Sequence, residues 1–161
     1  MNLTYNKKLV SHKEIGKIAQ FCAEEVHRQG RDPIQIAWMM EAWFYAMLHD
    51  LKEDPIPRIQ RLGHLIEQFD NHPDRWRQTT VVIRGAEQQP PGAGYVPSRM
   101  LQWRENFILG SDSPEELYRQ FELIHPFVDG NGRVGKIIYN YLKGTMNDPI
   151  FPPNFFGGKV P

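Results

Sequence analysis

The chain has 161 residues, 40% hydrophobic and 24% charged, enough for one compact domain with a real core and no covalent staples. Nineteen basic residues balance nineteen acidic ones, so nothing in the bulk charge argues for a nucleic-acid surface. Cys22 is the single cysteine, which excludes an internal disulfide and a cysteine metal cluster.

Met1 to Val10 holds two lysines and no apolar run, so a secretory leader is not expected there. Ser11 is placed as the N-cap of a helix to about Arg28, with Ile15, Ile18, Phe21, Cys22 and Val26 near one face. Gly30 ends it and Asp32-Pro33 restarts the chain as a capped helix begins. From Ile34 to Leu51 apolar residues fall almost all round, Ile36, Trp38, Met39, Trp43, Phe44 and Met47 among them, which predicts a helix in the middle of the core. That stretch is broken by Gln35, Glu41, His49 and Asp50 and falls short of the roughly 20 apolar residues that cross a bilayer. The expected setting is soluble and cytoplasmic, with delivery into another cell as an effector left open.

Pro55 and Pro57 bracket a joint before a third amphipathic helix on Ile59, Leu62, Leu65, Ile66 and Phe69. Thr79-Thr80-Val81-Val82-Ile83 is the one β-branched run, followed by Arg84-Gly85-Ala86 and Pro90-Pro91-Gly92-Ala93-Gly94. This pattern predicts a β-hairpin flap over about 79–97, lying on the surface because one hairpin cannot form a sheet core. Helical spacing returns with Met100, Leu101 and Trp103, and Ser113-Pro114-Glu115-Glu116 opens a helix that runs through Leu117, Phe121 and Ile124 into His125. The proline-rich tail, 144–161, has no helical period and is expected to drape over the surface or be disordered. The fold class read from these elements is mostly α, one domain over 1–161 with a β-flap.

The chemistry concentrates in His125-Pro126-Phe127-Val128-Asp129-Gly130-Asn131-Gly132-Arg133. Two glycines and an asparagine make a tight turn, and Val134, Ile137, Ile138, Tyr141 and Leu142 continue at helical spacing. A glycine-rich turn feeding a helix N-terminus presents converging N–H groups and partial positive charge to an anion. Arg133 and Lys136 oppose the helix dipole in the first turns, a placement that makes sense if phosphate sits there. A carboxylate beside phosphate, Asp129, calls for a bridging Mg²⁺. His125, with an ordinary pKa of about 6.5, can take a proton from a hydroxyl. Each of these residues alone reads as a cap or a turn; together they place a base, a metal ligand, an anion nest and two cations within twelve residues.

The same nine residues match the signature of the Fic family at every defined position, and Ile137-Ile138-Tyr139-Asn140-Tyr141-Leu142 resembles the helix that follows it, giving a signature segment of 125–142. Val82-Ile83-Arg84-Gly85-Ala86 with Pro90-Pro91, Val96-Pro97, Met100 and Trp103 is similar to the family's flap and next helix. The resemblance implies a Fic-like helical bundle that transfers AMP from ATP, or another nucleotide from its triphosphate, to a Ser, Thr or Tyr hydroxyl of a target protein. It implies that His125 is the base and that Asp129 holds Mg²⁺. Gly130, Asn131, Gly132 and Arg133, with Lys136 and Asn140, would form the nucleotide-binding set. Ile83, Arg84, Gly85 and Ala86 would pair with the target's backbone.

Three departures stand out. Lys136 occupies the place of a second arginine. The family's inhibitory string (Ser or Thr, three residues, Glu, then Gly or Asn) is not found, since Ser11 to Gly16 has the wrong spacing; either a separate inhibitor protein supplies it or the domain is not held off that way. The tail after Leu142 is short. The alternatives are transfer of another nucleotide or phosphate-linked group on the same fold, and a non-catalytic module that binds nucleotide or a partner.

Overall fold

The computed structural model describes residues 10–156 and forms six α-helices from them. The reading of the first nine residues, and of the tail beyond 156, lies outside the described residues. α1 (His12–Arg28) starts with a reciprocal cap: the Glu14 N–H donates to the Ser11 hydroxyl and the Ser11 N–H to the Glu14 carboxylate. It buries Ile18, Phe21, Cys22 and Val26, while Ile15 is left 39% exposed at the edge of that face. The Asp32 carboxylate accepts the Ile34 N–H at 2.9 Å where α2 (Ile34–Leu48) begins. α3 (Pro55–Ile66) has proline in its first turn, where the missing N–H costs nothing. It ends before Phe69, which is exposed beside Trp38 instead of lying on the expected helix face.

A single 3₁₀ turn (Ala93–Tyr95) leads into α4 (Val96–Leu109), then α5 (Pro114–Ile124) capped by Ser113, then α6 (Asn131–Lys143). α6 is the central helix. It packs on α2, α3 and α5, and every residue from Asn131 to Asn140 is buried. The segment expected in the middle, Ile34 to Leu51, yields α2, which flanks α6 with Ile34 and Leu48 exposed. Composition misleads here for a physical reason. α6 carries Arg133 and Lys136 into the interior because the carboxylates of Glu67, just past α3, and of Glu25 on α1 pair with them, so it reads as less apolar than it is buried.

The flap is not a hairpin, and no strand forms among the described residues. Ile83 donates its N–H to the Gln89 side-chain oxygen at 2.9 Å, and the Gln89 amide donates to the carbonyls of Ile83 and Ala86. A side-chain amide thus takes the place of a partner strand, and the β-branched run forms no ladder before the turn at Arg84–Gly85. The tail drapes over the molecule and is pinned there: Asn140 exchanges hydrogen bonds with both backbone groups of Ile150, and Phe151 rests on Phe21 with ring centroids 4.4 Å apart. No helix among the described residues is long and apolar enough to cross a membrane.

Candidate active site

α5 stops at His125, whose backbone turns left-handed (φ 52°, ψ 63°), while its N–H still caps the Phe121 carbonyl at 3.0 Å. Pro126 then diverts the chain. Phe127 anchors the turn, its ring packed between Trp76, Phe121 and Gly63 of α3. Asn131 closes the loop from within: its side chain accepts the Phe127 N–H at 2.9 Å and donates to the Phe127 carbonyl at 3.0 Å. Asn71 clamps it from outside. Its amide donates to the carbonyls of Gly63 and Asp129, and its oxygen accepts from the N–H groups of Val128 and Asp129. Gly130, at φ 80°, makes the last step into α6; a Cβ there would lie 2.8 Å from Ile66 Cγ2. The first intrahelical bond runs from Val134 N–H to Gly130 O, so the N–H groups of Asn131, Gly132 and Arg133 precede it.

His125, Asp129, Gly130, Asn131, Gly132 and Arg133 line one cavity of about 240 Å³, closed on other sides by Gln29, Arg31, Val82 and Ile83. Among the described residues three cavities are roomier, two of about 580 and 420 Å³ against the later flap residues and one of about 370 Å³ lined by Lys136, Arg28 and the tail, and none has a histidine in its lining. Ile83 of the predicted docking stretch reaches the site cavity, whereas Gly85 and Ala86 line the 580 Å³ cavity. Arg84 stands exposed between them.

The His125 ring is buried, and loss of water pushes its pKa down to about 4. Its Nδ1 has no formed hydrogen bond, and the nearby Glu122 backbone carbonyl only partly offsets the desolvation. Arg77 adds positive charge and holds the main chain here, donating from Nε to the His125 carbonyl at 2.6 Å and from its terminal nitrogens to Thr79 and Pro91. One buried guanidinium therefore ties His125 to both stems of the flap.

Asp129 accepts the Gly130 N–H at 2.7 Å and pairs with Arg31 at 2.5 Å. Its carboxylate also falls within 4.8 Å of oxygens from Glu67 and Asp70. Arg133 lines the cavity but is only 2% exposed, bonded to Glu67 at 2.8 Å and Gln35 at 2.6 Å. Two predicted residues lie away from the cavity lining. Lys136 is buried on Glu25 of α1 at 2.9 Å, and Asn140 is committed to Lys136 O, Thr145 and Ile150. Burial alone would raise the Glu25 pKa, but Lys136, Gln29 and Arg28 outweigh it and hold the carboxyl below its ordinary value.

Asn71, Arg77, Arg31, Gln35 and Glu67 escape sequence reasoning. Each is an ordinary surface-type residue whose partner lies far along the chain, so nothing local marks it.

The profile of the Fic/DOC family matches residues 50–142, from the end of α2 to the end of α6. A probable protein adenylyltransferase of Aquifex aeolicus (strain VF5) is 36% identical over 86 residues. That alignment covers 48% of this chain and 27% of the relative, so the chain spans about a quarter of that protein's length. The matched window includes the clamped turn, the buried histidine and the start of the central helix, and on this evidence the chain belongs to the Fic/DOC family.

Proposed function

We propose that this chain transfers a nucleoside monophosphate, most simply AMP from ATP, to a Ser, Thr or Tyr hydroxyl of a target protein. The observation that carries the reading is a buried, neutral histidine in the same small cavity as the N-terminus of α6. His125 is unprotonated at neutral pH, and with Nδ1 buried its Nε2 takes the hydroxyl proton. The hydroxyl oxygen forms a bond to the α-phosphorus, the bond from that phosphorus to the bridging oxygen breaks, and pyrophosphate leaves. The N–H groups at the start of α6 receive the charge on the phosphoryl oxygens, where aligned dipoles need no reorganisation.

Mg²⁺ fits the donor set, since Asp129, with Glu67 and Asp70 close by, offers only hard carboxylate oxygens. Asp129 would hold it, and when bound it supplies neutralisation of phosphate charge. Arg133, braced by Glu67, supports the reading as a fixed positive wall of the cavity. Ile83 opens a turn in which its carbonyl accepts the Ala86 N–H, and its other contacts are to the Gln89 side chain, so no strand occupies its backbone groups and a target strand could pair there.

One observation favours the second reading, a nucleotide-binding module without turnover: Lys136 spends its charge on Glu25 and not on the cavity. Incubation with Mg²⁺, a cell lysate and each α-³²P-labelled nucleoside triphosphate decides between them. A labelled protein band with one triphosphate, absent in His125→Ala, is the expected result. Nucleotide binding without any label would hand the case to the module.

A further inference from the structure

Asp129 is doubly engaged in the free chain. Its Oδ2 lies 2.5 Å from the Arg31 guanidinium, and its Oδ1 lies 3.7 Å from that of Arg133. Two guanidinium groups on one carboxylate leave little net negative charge for a divalent cation, which would also meet them at contact distance. On the nucleotidyl-transfer reading, on which this inference rests, one arginine has to move when metal and nucleotide enter.

Burial decides which. Arg133 is 2% exposed, and moving it would strip it and Glu67 of their partners at once. The Arg31 side chain is 38% exposed and its ion pair is with Asp129. Its backbone is anchored, with the Arg31 N–H donating to the Val26 carbonyl at 3.1 Å just past Gly30 at φ 65°. A long side chain can therefore swing from a fixed root. Arg31 lines the same cavity as His125 and the start of α6, and Asp129 is the sole acid in that lining. A guanidinium released there finds phosphate oxygens as its natural partner, because its planar fork matches them.

We propose that Arg31 is the exchangeable cation of this site, a phosphate-binding residue supplied by the turn between α1 and α2. In the free chain it neutralises Asp129; with metal and triphosphate present it transfers to the phosphate oxygens. Metal alone then binds against competition from Arg31, and nucleotide and metal assist each other because each gives the other's partner a place to go.

The test measures Mn²⁺ binding by electron paramagnetic resonance, with and without the α,β-methylene analogue of ATP, on the wild-type chain, Arg31→Gln and Arg31→Lys. Arg31→Gln should bind Mn²⁺ alone about fivefold more tightly and the analogue about fivefold more weakly, the scale of one partly exposed charge pair, with Arg31→Lys between. Unchanged or weaker Mn²⁺ binding in Arg31→Gln would make Arg31 a mere brace for Asp129 and overturn the proposal. Tighter metal with unchanged analogue affinity would overturn its phosphate half. A wild-type chain that binds no metal–nucleotide and labels no protein sinks the transfer reading and this inference together. One that binds and labels, with affinities indifferent to residue 31, sinks this inference alone.

Discussion

His125 holds a backbone conformation that ordinarily favours glycine, and its ring is pressed into a site with little water, next to the Arg77 guanidinium. The two features are linked, because the left-handed turn ends α5 where the ring can face the start of α6. With its pKa lowered from 6.5 to about 4, chiefly by desolvation, the imidazole is neutral through the whole neutral range. The base form is lost only as pH falls through about 4, at the cost of a weaker base. The pH profile of kcat/KM for the triphosphate should therefore stay flat downward through 6.5 and break near 4, with circular dichroism run in parallel to show the chain still folded. An acid limb near 6.5 would mean the ring is solvated during turnover and the burial argument is wrong. That His125 and Asp129 share one cavity follows from their closeness in the sequence, and their residue types carry the chemistry proposed for them. The places of Asn71 and Arg77 were not legible, because an asparagine and an arginine acquire a bracing role only through partners on α3, the flap stems and the turn from His125 to Gly130.

At the scale of elements, the turn from His125 to Gly130 is carried between α3, α5 and α6 by the fit of one aromatic ring. Phe127 lies so close to Gly63 that a Cβ built there would sit 2.2 Å from the Phe127 ring, on a helix otherwise well suited to alanine. Gly63→Ala should gain helix propensity yet lose about 1–3 kcal/mol by overpacking, and should lose activity because the displaced ring drags the turn with it. Urea unfolding and the labelling assay read the two effects. Adding Phe127→Leu should return part of the stability, a coupling expected only if the clash is the cause. A neutral Gly63→Ala, or a double variant that is simply additive, would remove Phe127 as the anchor. Elements themselves were readable where caps announce them, as at Ser11 and Ser113, and where a glycine turn feeds a helix, as at Gly130. The flap was misread because β-branched residues report a preference for extended backbone, not whether a partner strand exists; here Gln89 satisfies the backbone groups instead. The placement of α2 failed similarly, since apolar character all round does not distinguish the central helix from one whose exposed face is also apolar.

Across the whole molecule the interior is built around charge as well as around aromatic packing. α6 brings Lys136 to Glu25 of α1, and α5 adds Glu122, which is fully buried with neither carboxylate oxygen hydrogen-bonded. Gly135 of α6 leaves room for it: a Cβ there would come within 2.2 Å of Glu122 Oε1. Desolvation raises the Glu122 pKa from 4.5 to about 8, with Lys136 opposing and Glu25 adding to the rise. The folded chain therefore keeps a proton that the unfolded chain has released between those values. Stability from this group is fully present below about pH 4.5, falls by up to about 1.4 kcal/mol per pH unit as pH rises, and levels off above about 8. His125 acts with the opposite sign over a lower window, since the unfolded chain binds its proton first and stability is lost as pH falls from about 6.5 to about 4. Between 6.5 and 8 the Glu122 contribution is thus free of the His125 one. Glu122→Gln keeps the shape and removes the proton equilibrium, so denaturant unfolding at pH 6.5, 7.3 and 8 should show its stability rising steadily relative to wild type. The absolute stability of the variant is not the readout, because an amide in that site has polar atoms of its own to satisfy. Parallel stability–pH curves for the two chains would mean that Glu122 is ionised in the fold and that the charge shared by α1, α5 and α6 is balanced in some other way.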